Sequence, residues 1–282
     1  MSVRSHAFRA AGEGDLARVW ALARQDGIFG TPEELRAAWQ TAPWSVQVSD
    51  AGDVAILSRW RDHLPLVAVD ALWCNERSVP SHMAALRAVA RAHAFDDVVS
   101  PFVPDEALDP FLRAGMRVVH TGVAMGAACS SCAEAEPPPG IVFHLGDEAV
   151  LEPLLAVDIL SFSDFWRYDA RLMGECLRTD RTVVARHGDS VVGYAMCRID
   201  RGHGVIGRLA VIPARRGQGI GRALLGDALR YFARQGVRRA MLYTQAHNDE
   251  AQRLYRRFGF ETVGSRKHLL AFGEVDTEGV LR

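Results

Sequence analysis

Helical and strand periodicities alternate along the whole chain. Leu16, Val19, Trp20 and Ala23 share one face of a helix predicted over residues 13–24. Short β-type runs follow at 44–48 and 54–57, a longer apolar one at 65–73, a helical pattern at 83–95 and another strand at 98–103. A short helix is predicted over 106–114, where Gly115 stops it. The second half repeats this grammar. Helices are predicted at 148–160 and 169–177, and a hairpin at 181–186 and 190–199 turning at Gly188 and Asp189. An apolar strand at 205–211 precedes a helix at 222–235, which buries Ala223, Leu224, Ala228, Leu229 and Phe232 on one face. A strand at 240–244, a helix at 249–258 capped by Gly259 and a strand from Phe260 to Val263 complete the pattern.

The halves are also related residue by residue. Asp105, Glu106, Ala107, Arg113 and Gly115 recur as Asp249, Glu250, Ala251, Arg257 and Gly259 at a constant offset of 144. Leu72 lies over Leu209 if the first copy is seven residues shorter. Ordered elements and matched residues together argue for duplication of one fold. Between the copies, AACSSCAEAEPPPG is small and polar and ends in Pro137, Pro138 and Pro139, which suits a semi-rigid linker. The expected division is a first domain at 1–127, a linker at 128–140 and a second domain at 141–282. A length of 282 residues accommodates two domains of ordinary size.

The chemistry concentrates in one stretch. The strand through Leu209, Ala210 and Val211 turns at Pro213 and enters a loop containing Arg216, Gly217, Gln218, Gly219, Ile220, Gly221 and Arg222. The loop opens directly into an amphipathic helix. Glycines admit a ligand close to the backbone, and a helix start offers unpaired N–H groups to phosphates. Arg216 and Arg222 flank the loop and suit a pyrophosphate. A P-loop would need Gly-Lys-Ser/Thr, whereas Arg222 follows Gly221. A dinucleotide fold would need G-x-G-x-x-G and an acid ending the next strand, and neither is present. A second segment begins at Asn248, a good N-cap, and carries Tyr255 about two turns along.

These two segments resemble the GCN5-related N-acetyltransferase (GNAT) family. Val211, Pro213, Arg216, Gly217, Gly219, Ile220 and Gly221 fit its V-x-P-x-x-[RQ]-G-x-G-[IV]-G motif. Asn248, Ala251, Leu254, Tyr255, Gly259 and Phe260 fit N-x-x-A-x-x-L-Y-x-x-x-G-F. The match covers roughly residues 141–270. The resemblance implies an α/β (α+β) chain of two tandem GNAT folds, each a mixed, mostly antiparallel twisted sheet flanked by helices. The tandem layout resembles that of mycothiol synthase, with the likeness ending at the shared motifs. It further implies acetyl-CoA as acyl donor, held at the pyrophosphate by residues 216–221 and along its arm by Leu209, Ala210 and Val211, with Asn248 contacting it and Tyr255 protonating the departing thiolate. A phenol of pKa ~10 is a competent acid toward a thiolate of pKa ~8.5. The acceptor would be the primary amine of a small molecule, attacking directly in a ternary complex. A protein amine, or a non-catalytic CoA-binding regulatory module, is the alternative.

Some relatives carry a glutamate base two or three residues before the strand's final valine. Here Arg208 and Leu209 stand there, and arginine accepts no proton. Asp164, Asp169, Glu175, His203 and His268 are the remaining candidates, and Asp164 and Asp169 fall where the resemblance places a wall of the acceptor cleft. In the first copy the loop is Asn75-Glu76-Arg77-Ser78-Val79-Pro80-Ser81-His82, without glycine, and Phe111 replaces Tyr255. That half is expected to be a degenerate, non-catalytic copy.

Composition narrows the partners. Hydrophobic residues at 49% and charged at 24% describe an ordinary globular chain. A net charge of -1 disfavours nucleic acid and anionic membranes as partners. No run approaches the ~18 apolar residues of a membrane span, and residues 1–10 lack a signal-type apolar core. Five scattered cysteines fit a reducing cytoplasm. Only Cys129 and Cys132 are close in sequence, and no second pair follows at zinc spacing, so no metal is expected. Oligomeric state is left open by the sequence.

Overall fold

The computed structural model of the chain describes residues 7–129 and 136–277. Cys132 and part of the expected linker lie outside the described residues. In chain order the elements are β1 (Arg9–Ala10), α1 (Leu16–Asp26), α2 (Pro32–Thr41), β2 (Val46–Val48), β3 (Val54–Arg59), β4 (Leu66–Trp73), α3 (Val79–Ala92), β5 (Asp97–Val99), β6 (Val103–Pro104), α4 (Asp109–Arg113), β7 (Arg117–Ala128) and β8 (Ile141–Leu145). They continue with α5 (Leu151–Ser161), α6 (Ala170–Thr179), β9 (Arg181–His187), β10 (Ser190–Asp200), β11 (His203–Val211), α7 (Ile220–Arg234), β12 (Arg239–Gln245), α8 (Asp249–Arg256), β13 (Glu261–Thr262) and β14 (Lys267–Ala271).

The chain divides into two compact units, and the division departs from the expected one. The first unit is Met1–His120 with Lys267–Val275; the second is Thr121–Arg266 with Asp276–Arg282. In the first unit the strands run β1-β2-β3-β4-β5-β14, and in the second β8-β9-β10-β11-β12-β7. Both sheets are antiparallel except for one central parallel pair, β4 with β5 and β11 with β12. The order is the same in each, with one exchange. The strand that follows α4 in sequence completes the second unit, pairing Gly122–Ala128 with Gln245–Arg239 of β12. The strand after α8 completes the first, where Ala271 pairs with Val99. A boundary drawn in the linker misses this, because pairing partners are invisible in local composition.

Alternating residues on each sheet serve its two faces. In the first unit Ala55, Leu57, Val67 and Val69 pack with Met83 and Leu86 of α3, while Val54, Ile56 and Ala71 pack with Val19, Ala23 and Leu35 of α1 and α2. In the second, Val183, Ala185 and Ala195 join Ile220 and Leu224 of α7, while Val184, Tyr194, Met196 and Ala210 join Leu154, Val157 and Met173 of α5 and α6. The helix α2 has no counterpart in the periodicity because Leu35 is its one buried residue; Thr31 caps it by accepting the Glu34 N–H at 3.2 Å. Strands β7, β8 and β14 also went unread. β7 carries Gly122, Gly126 and several alanines, whose β propensity is low.

Among the described residues, no helix is long and apolar enough to cross a membrane.

Candidate active site

The parallel pair β11–β12 creates the site. The two strands are in register only at Gly204, Val205 and Ile206, opposite Ala240, Met241 and Leu242. β11 continues to Val211 and β12 to Gln245, so beyond Ile206 the strands part. On its other edge β11 stays paired with β10 as far as Val211 opposite Gly193. An extra residue, Gly207, is inserted between the pairs Cys197–Ile206 and Met196–Arg208. A bulge increases local twist, and here it stands where β11 leaves β12. Gly193 is required for the close β10–β11 approach, since a Cβ there would lie 2.7 Å from the Ala210 carbonyl oxygen.

At the open end of this notch lies the glycine loop. Ile212 donates its N–H to Val192 at 3.0 Å, and a short 3-10 turn at Pro213–Arg215 redirects the chain. Gly217 and Gly219 have φ of 73° and 86°, in the left-handed region that favours glycine. A Cβ on either would meet no protein atom within 4 Å, so the space above the loop is free for a ligand. Gly219 caps α7, and the first intrahelical bond accepted by it comes from Ala223 at 3.0 Å. The N–H groups of Ile220, Gly221 and Arg222 therefore sit at the helix's positive end without helical acceptors. A Cβ on Gly221 would lie 3.6 Å from Leu254 and 3.7 Å from Leu209, so strand, loop and α8 converge at this glycine.

The arginines divide in role. Arg216 donates to the Val211 carbonyl at 3.2 Å and the Ser161 carbonyl at 3.3 Å, tying the loop to the ends of β11 and α5. Arg222 is exposed on the first turn of α7. Gln218 donates to the Ala214 carbonyl at 3.3 Å.

On α8, Asn248 accepts the Ala251 N–H through Oδ1 at 3.0 Å, which makes it the N-cap. Gln252 supports the preceding turn by donating to Gln245 and Ala246 carbonyls at 3.2 and 2.8 Å. Tyr255 is 8% exposed, packs in one core cluster with Leu242 and Phe260, and burial pushes its phenol up to about 12. That makes it a weaker acid than an ordinary phenol, and it keeps its proton throughout the neutral range.

A buried polar cluster lies beside β11. Arg208, where some relatives carry a base, forks onto Asp158 of α5, with Nε and Nη2 donating at 3.0 and 2.7 Å. Tyr194 on β10 donates its hydroxyl to the same carboxylate. Burial pulls the guanidinium's pKa down, but Tyr194 and Asp158 outweigh it and hold Arg208 above its ordinary value. The segment after α5 wraps this pair. Tyr168 donates its N–H to Asp158 at 2.6 Å, the Trp166 carbonyl accepts from Arg208 at 2.9 Å, and the guanidinium carbon lies 3.5 and 4.0 Å from the Phe162 and Tyr168 ring centroids. Sequence reasoning missed Asp158 because a lone acid in an apolar helix carries no spacing signal.

The other candidate acids and histidines are scattered over the fold. Asp164 pairs with Arg167 at 3.3 Å. Asp169 caps α6 by accepting the Leu172 N–H at 2.8 Å. Glu175 pairs with Arg171 at 3.1 Å, and His203 is exposed at the far end of β11. His268 belongs to the first unit, where its Nε2 lies 2.8 Å from Asp105.

The first unit repeats the geometry without the chemistry. β4 is in register with β5 only at Leu66, Val67 and Ala68, and its bulged residue is Asp70. Phe111 is 8% exposed, as Tyr255 is, and the Met116 N–H donates back to the Phe111 carbonyl at 3.2 Å just as Phe260 does to Tyr255. The turn before α3 spends its own donors: Ser78 N–H goes to Asn75 at 2.9 Å, Arg77 N–H to the Asn75 side chain at 2.9 Å, and Val79 N–H to Glu76. Pro80 has none to give.

Residues 154–260 match the model of the acetyltransferase (GNAT) family. Over 76 residues the chain is 36% identical to the mycothiol acetyltransferase of Arthrobacter sp. (strain FB24), a stretch covering 25% of this chain and 24% of that protein. Over 89 residues it is 43% identical to the N-alpha-acetyltransferase RimI of Mycobacterium tuberculosis, covering 30% of this chain and 54% of RimI. The matched stretch thus spans about a quarter and about half of these relatives' lengths. Among solved structures, a tandem GNAT protein from the clavulanic acid biosynthesis pathway superposes with a TM-score of 0.68 at 16% identity, over 97% of this chain and 100% of that one. A GCN5-related N-acetyltransferase from Sphaerobacter thermophilus gives 0.63 at 22% identity over 94% of each chain. The chain shares the fold of these tandem proteins, and its residues 154–260 match the acetyltransferase (GNAT) family model.

Proposed function

We propose that the second unit transfers an acetyl group from acetyl-CoA to the primary amine of a small molecule, by direct attack in a ternary complex. The observation that carries this reading is the notch between β11 and β12, which opens toward the glycine loop, with Tyr255 in one core cluster with Leu242 of β12. The donor's diphosphate would be held by the N–H groups of residues 217–222, with the exposed Arg222 adding charge. Arg216 would act mainly by holding the loop in place, since both its contacts are to backbone carbonyls. The edge of β11 from Leu209 to Val211, which β12 leaves without a strand partner, would receive the extended arm, and Asn248 would reach it through its amide nitrogen. Acetyl-CoA supplies an activated thioester; the protein supplies position and hydrogen bonds.

Tyr255 donates a hydrogen bond to the departing sulfur. With its phenol raised to about 12, complete proton transfer to a thiolate of pKa ~8.5 is uphill, so the tyrosine stabilises developing charge more than it delivers a free proton. The attacking amine loses its proton to solvent in this reading, since Arg208 accepts none and its partner carboxylate, Asp158, is committed to Arg208 and Tyr194. The Arg208–Asp158 pair fixes the segment 162–169, which forms the acceptor-side wall in this reading.

Thiol release from acetyl-CoA across a panel of small amines tests the proposal. Turnover with a small primary amine supports it. Tight CoA binding without turnover on any amine would favour a regulatory module. The similarity to RimI supports a second reading, a protein N-terminal amine as acceptor, and preference for a peptide α-amine over every small amine would establish it.

A further inference from the structure

Tyr243 is the first residue of β12 past its register with β11, which ends where Ile206 lies opposite Leu242. Ile206 and Leu242 both pack into the core cluster that holds Leu225, Leu229 and Tyr255. Side chains alternate along a strand, so Tyr243 stands on the opposite face of the sheet. Arg208 stands on that face too, since it reaches Asp158 of α5, and α5 packs with Tyr194 and Ala210 rather than with Leu229. The two tyrosines therefore sit on opposite faces at the notch. The Tyr243 ring does not stand upright from the sheet. β12 lies between β11 and β7, and the phenol leans away from β11 onto Gly122 of β7, which is opposite Gln245 in the register. A Cβ on Gly122 would overlap the Tyr243 hydroxyl and ring, so glycine at this position lets the ring lie down. Tyr243 is nevertheless 37% exposed. Its partial burial raises the phenol above the ordinary value, and the surface it offers is neutral at neutral pH.

This inference rests on the acetyl-transfer reading, in which the acceptor enters on the face of the 162–169 segment while the departing sulfur meets Tyr255 on the other. We propose that Tyr243 is a specificity-determining residue for the acceptor, forming the β12 side of its cleft as the 162–169 segment forms the β11 side, with its ring packed against the carbon body of the incoming amine. Resting on Gly122 keeps the ring out of the mouth of the notch and holds an aromatic surface beside it. Both residues belong to the second unit, as the rest of the site does. The acceptor this arrangement selects is a primary amine with an apolar or aromatic body, because a hydroxylated body gains little from packing on a ring.

Steady-state kinetics of the full chain with phenethylamine and ethanolamine test this. Wild type should prefer phenethylamine in kcat/KM by about tenfold, the size of one aromatic contact. Tyr243→Phe keeps the ring and should keep the preference. Tyr243→Ala should bring the two amines within about twofold of each other, with KM for acetyl-CoA within about twofold of wild type. Gly122→Ala must displace the ring, so it should erode the preference in the same way. It should add nothing in the Tyr243→Ala background, since the two residues act through one contact. A ring that serves only to cover Gly122 would alter urea unfolding of these variants and leave the ranking of amines intact; that outcome overturns the proposal, as does the absence of a preference in wild type. If neither amine is turned over, the acetyl-transfer reading fails separately, and phenethylamine titrated into the CoA-saturated chain decides the role of Tyr243. Saturable shifting of the Tyr243 ring signal in NMR, assigned with Tyr243→Phe, supports the proposal, and an unmoved signal overturns it.

Discussion

Arg208 grips Asp158 with two arms of its guanidinium, at 3.0 and 2.7 Å, on the strand position where the sequence resemblance directs the search for a base. Both side chains are buried, and the pair organises Tyr194, Trp166 and Tyr168 around it. Removing one partner leaves the other's charge stranded. Asp158→Ala should cost about 3–5 kcal/mol in urea unfolding of the chain. Arg208→Lys should also destabilise, because an ammonium cannot reproduce the fork. A fall in affinity for the acceptor, with acetyl-CoA binding retained, is expected in Arg208→Lys if the segment 162–169 forms the acceptor wall. Wild-type stability in Asp158→Ala would refute the structural role.

Tyr255→Phe keeps the buried ring and removes the hydroxyl. Its kcat should fall by about two orders of magnitude, with KM for acetyl-CoA within about twofold of wild type. Unchanged kcat would remove Tyr255 from the reaction.

Gly219→Asp should abolish most CoA binding while leaving the chain folded. The carboxylate would enter the open space above the loop and repel a diphosphate, and its φ of 86° adds strain of about 1–2 kcal/mol. Gly219→Ala separates the two effects, since it carries the strain without the charge. Calorimetric CoA titration of both variants should rank them wild type, alanine, aspartate.

The pH profile distinguishes solvent from a side-chain base. With Tyr255 raised to about 12, its hydroxyl stays a donor from pH 6 to 10, so no loss of activity is expected there on its account. The rise in kcat/KM with pH should track the pKa of each amine used, ~10 for an alkylamine, and move when the amine is changed. A fixed inflection near 6–7 for every amine would reveal a protein base.

The first unit depends on the C-terminal strand. Ser100 donates its N–H to the Leu270 carbonyl at 2.8 Å and accepts the Leu270 N–H on its hydroxyl at 2.9 Å, Gly273 donates to Asp97 at 2.7 Å, and Leu270 is fully buried with Met83 and Leu86. Truncation after Arg266 should therefore unfold the N-terminal unit selectively, seen as protease cleavage within residues 7–120 ahead of cleavage within 141–260. Wild-type protection of the first unit would contradict the strand assignment.

Much of the site was legible because its chemistry is backbone chemistry. Gly217, Gly219 and Gly221 mark a loop that must take positive φ or admit close approach, and Asn248 marks a helix start; both follow from residue type at fixed local spacing. The bulge at Gly207 had a signal too, a glycine inside an apolar strand, and it went unread. Asp164 and Asp169 were set beside the acceptor by resemblance, and in the structure one pairs with Arg167 and the other caps α6.

The sequence by itself determined the duplicated order of strands and helices, the glycine loop of the second copy and its absence from the first. These reside in periodicity and in residues a few positions apart. Tertiary structure alone decided that β7 and β14 change places between the units and that Arg208 is spent on Asp158 fifty residues away. Strand pairing and charge pairing depend on which distant groups meet when the core closes, and no local pattern encodes that meeting.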